Sequence, residues 1–570
     1  MRSACSVLLL SGVLHASTLT VKSGGGGNYT TIQACATAMV AGDTCTVFAG
    51  TYAENVTVTA GTVGNYKTIN VNGSDVVTVQ AFVLNSHTKI IGNCRVPAAI
   101  NTCGFNIQNT ASPSATQCVG IPNGATDIYI VNNVMYACGN SGNGVDMIGV
   151  SSAAFSVSFI YVQGNTLSYA CITQSQAGTA TKECNGIFLP GANILIENND
   201  LSHYTLGIYF SNASNSVYRG NTIHDQYETE AGGNAHTDAF YSSPSATTDH
   251  NLIENNLQYN GVGVNAKGLL TQGEFSPCNG ACAHVVIFRF NTIHDIGSGN
   301  LSGYGYNSVK LYNNTYVNLA DLCSGCFGGI DNFLTDLTFS MVNGSDINNL
   351  FYFPGTITSA DAANPTAFDS ASAATGTWGH SLAYCNATGA SNCALYGHIY
   401  EAGTWTADSG NILGYQDHSP TNNPKFANLA GNDFHLQAGS PALNAGTFLT
   451  TVAAGDSGSG TSLVVNDAAF FQDGYGLTNA NSTVSADCIS VTTVANHICI
   501  TAVNYSTNTL TMASGFSRSS GDSVWLYSDS SGTVQLVGSA PNIGAKMQAP
   551  ATSGSGLSSN TSLVGPGTVR

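Results

Sequence analysis

Basic residues are scarce in this sequence. Only 14 of the 570 residues are Lys or Arg, 8% of the chain is charged, and the formal net charge is −18. Proteins that bind a nucleic-acid backbone neutralise its phosphates with clustered cations. We therefore expect no nucleic-acid partner, and an acidic polymer of any kind would need a local basic patch or a bound divalent cation.

Long apolar segments are also missing. After the first residues no run of about 18 apolar residues occurs, so we expect no membrane-spanning helix. Near the N-terminus Arg2 precedes an apolar run over 7–13, and cleavage beside a small residue could follow Ala16. These features predict a signal peptide at residues 1–16 and a secreted, extracellular protein.

Long amphipathic helices are a third absence. Glycine accounts for 64 residues, and Ser, Thr, Asn, Val and Ile fill much of the remainder, which favours short strands and tight turns. A chain of 570 residues is too long for one small core, so it must form several domains or one elongated repeat array. The composition favours the array.

Cysteines, in contrast, are numerous. There are 17, and removing Cys5 with the signal peptide leaves 16 that fall into close sequential couples. Disulfides form in oxidising compartments, so local disulfides agree with export, whereas the His and Cys order of a zinc site is missing. The predicted couples are Cys35/Cys45, Cys94/Cys103, Cys118/Cys138, Cys171/Cys184, Cys278/Cys282, Cys323/Cys326, Cys385/Cys393 and Cys488/Cys499.

One pattern of strands and turns recurs between about 80 and 350, with an asparagine at the same place in each repeat. The shortest intervals, 22 and 23 residues, approximate one bare coil, and the longer intervals add a loop. A coil this short can bury its apolar face only against its neighbours, so the repeats predict a solenoid. Stacked asparagines can hydrogen-bond along the array and tolerate left-handed backbone. The positions are Asn133, Asn165, Asn199, Asn221, Asn256, Asn291, Asn314 and Asn349.

These repeats resemble the coils of the pectate-lyase-like, right-handed parallel β-helix superfamily, secreted bacterial type. The segment Ser-Val-Tyr-Arg-Gly-Asn-Thr-Ile-His at 216–224 looks like one such coil, and 29–52 resembles the cap that begins many members. Segments 432–446 and 538–545 are similar to terminal motifs of secreted members. The resemblance covers about 30–447 and implies an all-β solenoid, but this superfamily contains lyases, hydrolases, epimerases and non-enzymes.

The repeat breaks off near the C-terminus. Residues 448–536 contain short strands such as 462–465 and 523–527 and predict a small inserted β-barrel or β-sandwich module. The predicted organisation is a signal peptide at 1–16, a parallel β-helix with N-terminal cap at 17–447, the module at 448–536, and a terminal β-helix motif with a mobile tail at 537–570. We expect a monomer.

Alternation along equivalent strands predicts which side chains line a groove. Segments 186–190, 207–211, 238–242 and 263–267 are aligned for this purpose. Because successive side chains point to opposite faces, Phe188, Tyr209, Phe240 and Asn265 are expected to face outward and bind substrate. Their stacking at about 4.8 Å per coil would form a strip for sugar rings. The alternative is that a long loop folds over them.

A second column, two residues before each ladder asparagine, alternates acid and base. On an exposed face such neighbours would pair across strands, each contact being worth only about 0.2–1 kcal/mol. We call this set the ionic column. It consists of Gln163, Glu197, Arg219, Glu254, Arg289 and Tyr312.

The acidic loop at 225–238 leads directly into the predicted aromatic strip and contains His236. A polysaccharide lyase acting on a uronate-containing chain needs a base for the proton α to the carboxyl group and a cation for the developing charge. Lys267 is the expected base, with Asp238 and His236 as further catalytic candidates. Glu228, Glu230 and Asp238 are the candidate ligands of a calcium ion.

Two other functions stay open. As a non-catalytic adhesin or surface-binding protein, the chain would use the same groove for a polysaccharide, with the acidic loop solvated or calcium-bound. As a glycoside hydrolase it would need two carboxyl groups at a defined separation, and the His-Thr-Asp at 236–238 only faintly resembles the polygalacturonase motif. The pairs His224-Asp225 and His294-Asp295 occupy the same turn in two coils, which indicates a structural role.

Overall fold

The chain forms a right-handed parallel β-helix, as the repeats predicted. No helix in the part of the chain described below is long and apolar enough to cross a membrane. The computed structural model describes residues 16–108, 117–138, 146–150, 156–168, 185–226, 237–242, 249–261, 266–271, 285–296, 301–303, 308–319, 342–353, 375–386, 388, 398–401, 404–407, 410–417, 419–479 and 482–545.

Three parallel faces run along the solenoid. Face A consists of Thr18–Val21, Thr44–Val47, Lys67–Val71, Thr88–Ile91, Thr126–Val131, Val157–Gln163, Gly191–Glu197, Ala213–Ser214, Val217–Arg219, Asn251–Glu254, Val285–Arg289, Ser308–Tyr312, Val342–Ile347 and Thr375–Gly379. Face B consists of Gly104–Gln108, Val134–Tyr136, Thr166–Ser168, Asp200–Ser202, Thr222–Gln226, Leu257–Gly261, Thr292–Ile296, Thr315–Leu319, Leu350–Phe353, Leu382–Cys385 and Ile412–Tyr415. Face C consists of Val119–Ile121, Ile148–Val150, Asn185–Phe188, Leu206–Tyr209, Thr237–Ser242, Ala266–Thr271 and Leu301–Gly303. Two long early strands, Gly50–Val58 and Val76–Leu84, run along both face B and face C.

A short helix, Ile32–Ala38, closes the N-terminal end of the coil. Its first backbone donors are satisfied, because the Glu54 carboxylate accepts from the N–H groups of Ile32 and Gln33 at 3.0 and 2.8 Å, and Thr31 accepts from that of Ala34. The helix buries Ile32 and Cys35 against the first coil. It lies within residues 29–52, where the sequence predicts a cap.

All eight predicted asparagines form one ladder between face A and face B. In the first seven, Nδ2 donates to the Oδ1 of the next asparagine at 2.9–3.1 Å, and the backbone N–H donates to the same oxygen. The last, Asn349, donates to Asp346 and Ser381 instead. The residue before each has a positive φ, such as 57° at Asn132 and 54° at Asn198. The ladder thus turns the chain sharply and satisfies the backbone inside the corner.

The C-terminal residues form a six-stranded antiparallel half-barrel sheet, which agrees with the predicted fold class. Its hydrophobic side packs along face A, where Leu195 and Ile287 of the solenoid join Leu463 and Leu526 of the sheet in a second core. The strands are Thr450–Thr451, Gly458–Val464, Cys488–Val491, His497–Asn504, Thr509–Arg518 and Ser523–Ser528, with the short 3-10 helix Tyr505–Thr507.

The prediction that the ionic column is exposed is wrong. Its pairing is as expected, with Glu197 bound to Arg219 at 2.7 Å and Glu254 to Arg289 at 2.8 Å. All six residues are at most 8% exposed. The C-terminal sheet covers them and adds Asp487 as a second partner of Arg289 at 2.8 Å.

Residues 419–447 and the end of the described chain cover part of face B. Phe426, Phe434 and Ile543 form a third core with Leu350 and Tyr352 of the solenoid. The elements here are Phe426–Asn428 paired with Asp433–Leu436 and the 3-10 helices Pro420–Asn422 and Leu429–Gly431. A separate hairpin pairs His398–Glu401 with Thr404–Ala407. Residues 1–15 of the predicted signal peptide and 546–570 of the predicted tail lie outside the described residues.

Four predicted disulfides are confirmed. They are Cys35–Cys45, Cys94–Cys103, Cys118–Cys138 and Cys488–Cys499. Cys385 is also disulfide-bonded. The other predicted couples lie wholly or partly outside the described residues.

Candidate functional site

The outward side of face C carries one column of residues in register. Inward neighbours such as Ile148, Ile187 and Ile208 are fully buried, so the residues that follow them face out. We call this set the groove column. In order along the solenoid it is Gly120, Gly149, Phe188, Tyr209 and Tyr241, and Leu270 is the Cα partner of Tyr241 on the next strand.

Phe240 does not face the groove as predicted. Tyr209 pairs with Tyr241, and Ile208 pairs with Phe240. The alignment from sequence was one residue out in this strand, and a slip of one residue sends each side chain to the other face. Phe240 is therefore 2% exposed and packs edge-on against Phe288 at 6.4 Å in the main core.

The remaining aromatic residues do form a stacked strip. Phe188 and Tyr209 stack with ring centroids 4.5 Å apart, and Tyr241 follows at 5.0 Å, tilted by 51°. Phe188 is 5% exposed, whereas Tyr209 and Tyr241 are half-buried. The two tyrosines are thus partly accessible to solvent. Asn265 lies outside the described residues.

A column of mostly polar residues flanks the groove column, each three positions before a groove residue. We call it the polar column. It consists of Gln117, Asp146, Asn185, Leu206, Asp238 and Lys267. The last four are Cα partners from strand to strand, and Asn185 Nδ2 donates to Asp146 Oδ1 at 2.9 Å.

The structure brings two of the predicted catalytic residues together. Asp238 and Lys267 are Cα partners on adjacent strands, about 4.8 Å apart, and the Asp238 side chain is fully buried. The catalytic candidate His236 and the calcium-ligand candidates Glu228 and Glu230 lie outside the described residues. Within the described ranges no cluster of three or more His, Cys, Asp or Glu side chains is placed to hold a metal ion.

Sequence reasoning missed four residues of this site, namely Gln117, Asp146, Asn185 and Tyr241. Gln117, Asp146 and Asn185 share one signal in the sequence, because each lies three residues before a residue of the groove column. That signal could be used only once the outward positions were known, and glycine at two of them concealed the column.

A second cluster lies on face B around the predicted His-Asp pairs. His224 donates from Nδ1 to Asp225 at 2.7 Å and lies 3.4 Å through Nε2 from Asp200. The His224 ring stacks on Tyr259 with ring centroids 4.9 Å apart. His294 also stacks on Tyr259, with centroids 5.3 Å apart. Both nitrogens of His224 are engaged, so it has no site left for proton exchange with a ligand.

The turn geometry supports the structural interpretation of both pairs. Asp225 has a φ of 52° and Asp295 a φ of 53°, the left-handed conformation that a sharp corner requires. Asn260 donates to Asp225, and Asn318 donates to Asp295. These aspartates therefore brace a repeated corner.

The stability of the fold is expected to depend on pH through His224. Burial alone would lower its pKa, but hydrogen bonds to Asp200 and Asp225 outweigh burial and raise the pKa to about 9. A folded-state pKa above the unfolded value of 6.5 gives a contribution that is complete below pH 6.5 and lost as the pH rises through 9. We expect a loss of at most about 3 kcal/mol in the free energy of unfolding over this window.

Urea denaturation of wild type and His224→Gln between pH 6 and pH 10 tests this dependence, with about 0.5-unit steps. The exposed His435 provides the matched control, since His435→Gln is expected to keep the wild-type profile. Parallel profiles for wild type and His224→Gln would contradict the role of His224.

Comparison with solved structures finds other chains of related architecture at low similarity. A lacto-N-biosidase from Eubacterium ramulus aligns over 70% of this chain and 68% of its own, with 10% identity and a TM-score of 0.37. In the selenomethionine form of that enzyme the chain spans 64% of its length. A pectate lyase aligns over 79% of this chain and 95% of its own, with 13% identity and a TM-score of 0.35.

A tailspike protein of an E. coli bacteriophage, in complex with a pentasaccharide, aligns over 85% of this chain and 86% of its own, with 11% identity and a TM-score of 0.37. No protein-family model and no curated protein matches the sequence. These similarities concern the fold alone, and the chemistry of the site is argued from its own residues.

Proposed function

We propose that face C binds a polysaccharide chain along its length and that the protein acts as a secreted monomer. The observation that carries this proposal is the aromatic strip of Phe188, Tyr209 and Tyr241, with ring centroids 4.5 and 5.0 Å apart. Rings on a rigid, regular scaffold offer apolar surface to sugar faces at little entropic cost. The neighbouring polar column supplies groups for the sugar hydroxyls.

Cleavage by β-elimination is the second step of the proposal. Asp238 and Lys267 are cross-strand partners at the far end of the strip from Gly120. Lys267 is the proposed base for the proton α to a uronate carboxyl group, and His236, two residues before Asp238, is a further catalytic candidate. A calcium ion held by Asp238, Glu228 and Glu230 is the proposed cation for the developing charge.

Tyr209→Ala is expected to weaken binding of a retained polysaccharide by about five- to tenfold, because it removes one ring of the strip. Phe159 is an exposed aromatic residue on face A, 38% exposed, and Phe159→Ala is the matched control. Affinity electrophoresis of both variants in gels containing the polysaccharide measures the change. Equal retention of Tyr209→Ala and wild type would place binding elsewhere.

The cleavage step is tested separately. Wild type is incubated with pectin, alginate, glycosaminoglycan and other plant chains, with and without calcium, and absorbance reports new double bonds. We expect calcium-dependent unsaturation that Lys267→Ala abolishes. Release of reducing ends without unsaturation would favour hydrolysis, and retention without any cleavage would favour a non-catalytic adhesin.

A further inference from the structure

The outer side of the C-terminal sheet carries three aromatic rings. In the strand Ser523–Ser528, the residues on either side of Trp525 belong to the second core, so Trp525 and Tyr527 face outward, and both are half-buried. The ring of Tyr527 stacks on the ring of His497 with centroids 3.9 Å apart and 3° between the planes. His497 itself is exposed. We call Trp525, Tyr527 and His497 the aromatic platform.

The strand register makes the platform compact and rigid. Ser490 is the Cα partner of both Trp525 and His497, so these three residues form one row across adjacent strands, about 10 Å long. The disulfide Cys488–Cys499 links the strand of Ser490 to the strand of His497. The rings therefore lie on a cross-linked sheet, and a ligand has little disorder to overcome when it binds them.

The hydrogen bonding of His497 leaves one ring nitrogen open. Its Nδ1 lies 3.2 Å from the carbonyl oxygen of Val494, which can only accept a hydrogen bond. The proton of the neutral ring is therefore on Nδ1, and Nε2 carries a lone pair. No group in the described part of the chain donates to Nε2. This nitrogen can thus accept a hydrogen bond from a hydroxyl group of a ligand.

The size of the platform does not suit a protein partner. A stable protein interface buries about 800 Å² on each side. An aromatic side chain buries about 150–250 Å², so three rings would approach that area only if they were fully exposed, and Trp525 and Tyr527 are half-buried. The exposed Thr501 and Thr511 on the neighbouring strands are small and polar and add little apolar area. The platform has instead the dimensions of one or two sugar rings.

The charge of this part of the chain excludes an acidic ligand. Between 448 and 536 the sequence contains no lysine, one arginine and six aspartates. The arginine, Arg518, donates to Asp456 at 2.9 Å and is therefore already paired. A sugar carboxylate or sulfate would meet negative charge that no lysine or open arginine of this segment compensates. A neutral sugar meets no such penalty.

We propose that the aromatic platform is a second carbohydrate site, which binds the ring face of a neutral sugar on Trp525 and Tyr527 and accepts a hydrogen bond from a sugar hydroxyl at His497 Nε2. The apolar face of a sugar ring packs on aromatic rings, as on face C. The site is separate from face C, because the sheet docks on face A through its opposite side. The C-terminal sheet then holds the protein on a neutral polysaccharide.

The test uses the full chain and two sets of oligosaccharides of equal length, neutral xylose and glucose oligomers and oligogalacturonates, with binding measured by titration calorimetry. Trp525→Ala removes the largest ring of the platform, and Trp525→Phe keeps an aromatic ring at the same position. His497→Ala removes the open acceptor. Thr511→Ala, at an exposed position on the same side of the sheet, is the matched control.

We expect Trp525→Ala to lose about tenfold or more in affinity for the neutral oligomers and His497→Ala about three- to fivefold. Trp525→Phe and Thr511→Ala are expected to stay within about twofold of wild type. Affinity for the oligogalacturonates is expected to be the same in all four variants. Melting temperatures verify folding, and the exposed His497→Ala decides the test should Trp525→Ala fold poorly.

Three results would overturn the site. They are failure of wild type to bind the neutral oligomers, unchanged affinity for these oligomers in both Trp525→Ala and His497→Ala, and a dimer of the protein that Trp525→Ala dissociates. Tyr209→Ala separates this site from face C. Loss of oligomer binding in Tyr209→Ala together with full binding in Trp525→Ala would remove the platform and leave the proposed function of face C intact.

Discussion

Replacing Arg289 by alanine is expected to lower the free energy of unfolding by about 3–5 kcal/mol and to release the C-terminal sheet from face A. Arg289 is fully buried between the two parts of the molecule. Its Nε donates to Glu254, and its two terminal nitrogens donate to Asp487 and Tyr312, all at 2.8 Å. Alanine would leave two carboxylates buried without their cation.

Urea denaturation measures the loss, and hydrogen exchange over Asn251–Glu254 and Cys488–Val491 reports whether the sheet has separated from the solenoid. The exposed Arg95 is the matched control, and Arg95→Ala is expected to change stability by less than about 0.5 kcal/mol. Adding Glu254→Gln and Asp487→Asn to Arg289→Met should recover much of the loss, because no unpaired charge then remains. Similar losses for Arg289→Ala and Arg95→Ala would refute this account of the interface.

The effect of Arg289→Ala should also vary with pH. Burial raises the pKa of Glu254 to about 7, because it outweighs the attraction of Arg289. The folded-state pKa exceeds the ordinary value of 4.5, so the stabilising contribution of protonation is complete below pH 4.5 and lost as the pH rises through 7. In acid the carboxyl groups are protonated and neutral. The loss in free energy of unfolding caused by Arg289→Ala is therefore smallest there.

Asn221→Ala is expected to cost about 3 kcal/mol, the second large effect. Its side chain accepts from the backbone N–H and from Nδ2 of Asn199, and it donates to the carbonyl of Ile196 and to Asn256, all at 3.0 Å. Alanine removes all four bonds at a position with no access to water. The buried groups left on neighbouring coils carry most of the cost.

Hydrogen exchange locates that loss as well as measuring it. Protection is expected to fall at Ile196, Asn199 and Asn256, on the coils to either side. Asn65→Ala, at an exposed turn, is the control and should leave protection unchanged. A loss confined to residue 221 itself would show that the ladder does not couple successive coils.

The two predictions differ in how far the sequence could anticipate them. The ladder is local, since each asparagine repeats in one corner of one coil, and the spacing was sufficient to predict the stack. The partner of Arg289 is 198 residues further along the chain. The sequence around Arg289 gives no indication that Asp487 is its partner, and the acid–base alternation by itself predicts an exposed face.

The groove column is intermediate between these two cases, because the sequence predicted only some of its residues. Alternation kept Phe188 and Tyr209 in one column, because their strands share one register. It failed at Phe240, where a single residue of slip decides between the core and the groove. Asp238 and Lys267 were singled out for their chemistry, and only the register shows that they are cross-strand partners.

The sequence by itself determined the coil, its corner asparagines and the identity of the strands, because a short repeat must stack on itself to bury its apolar residues. Only the tertiary structure decided which outward residues stay in contact with water. Face A and face C carry similar outward columns, but the C-terminal sheet docks on face A and buries it. That choice depends on contacts between segments hundreds of residues apart, which no local pattern encodes.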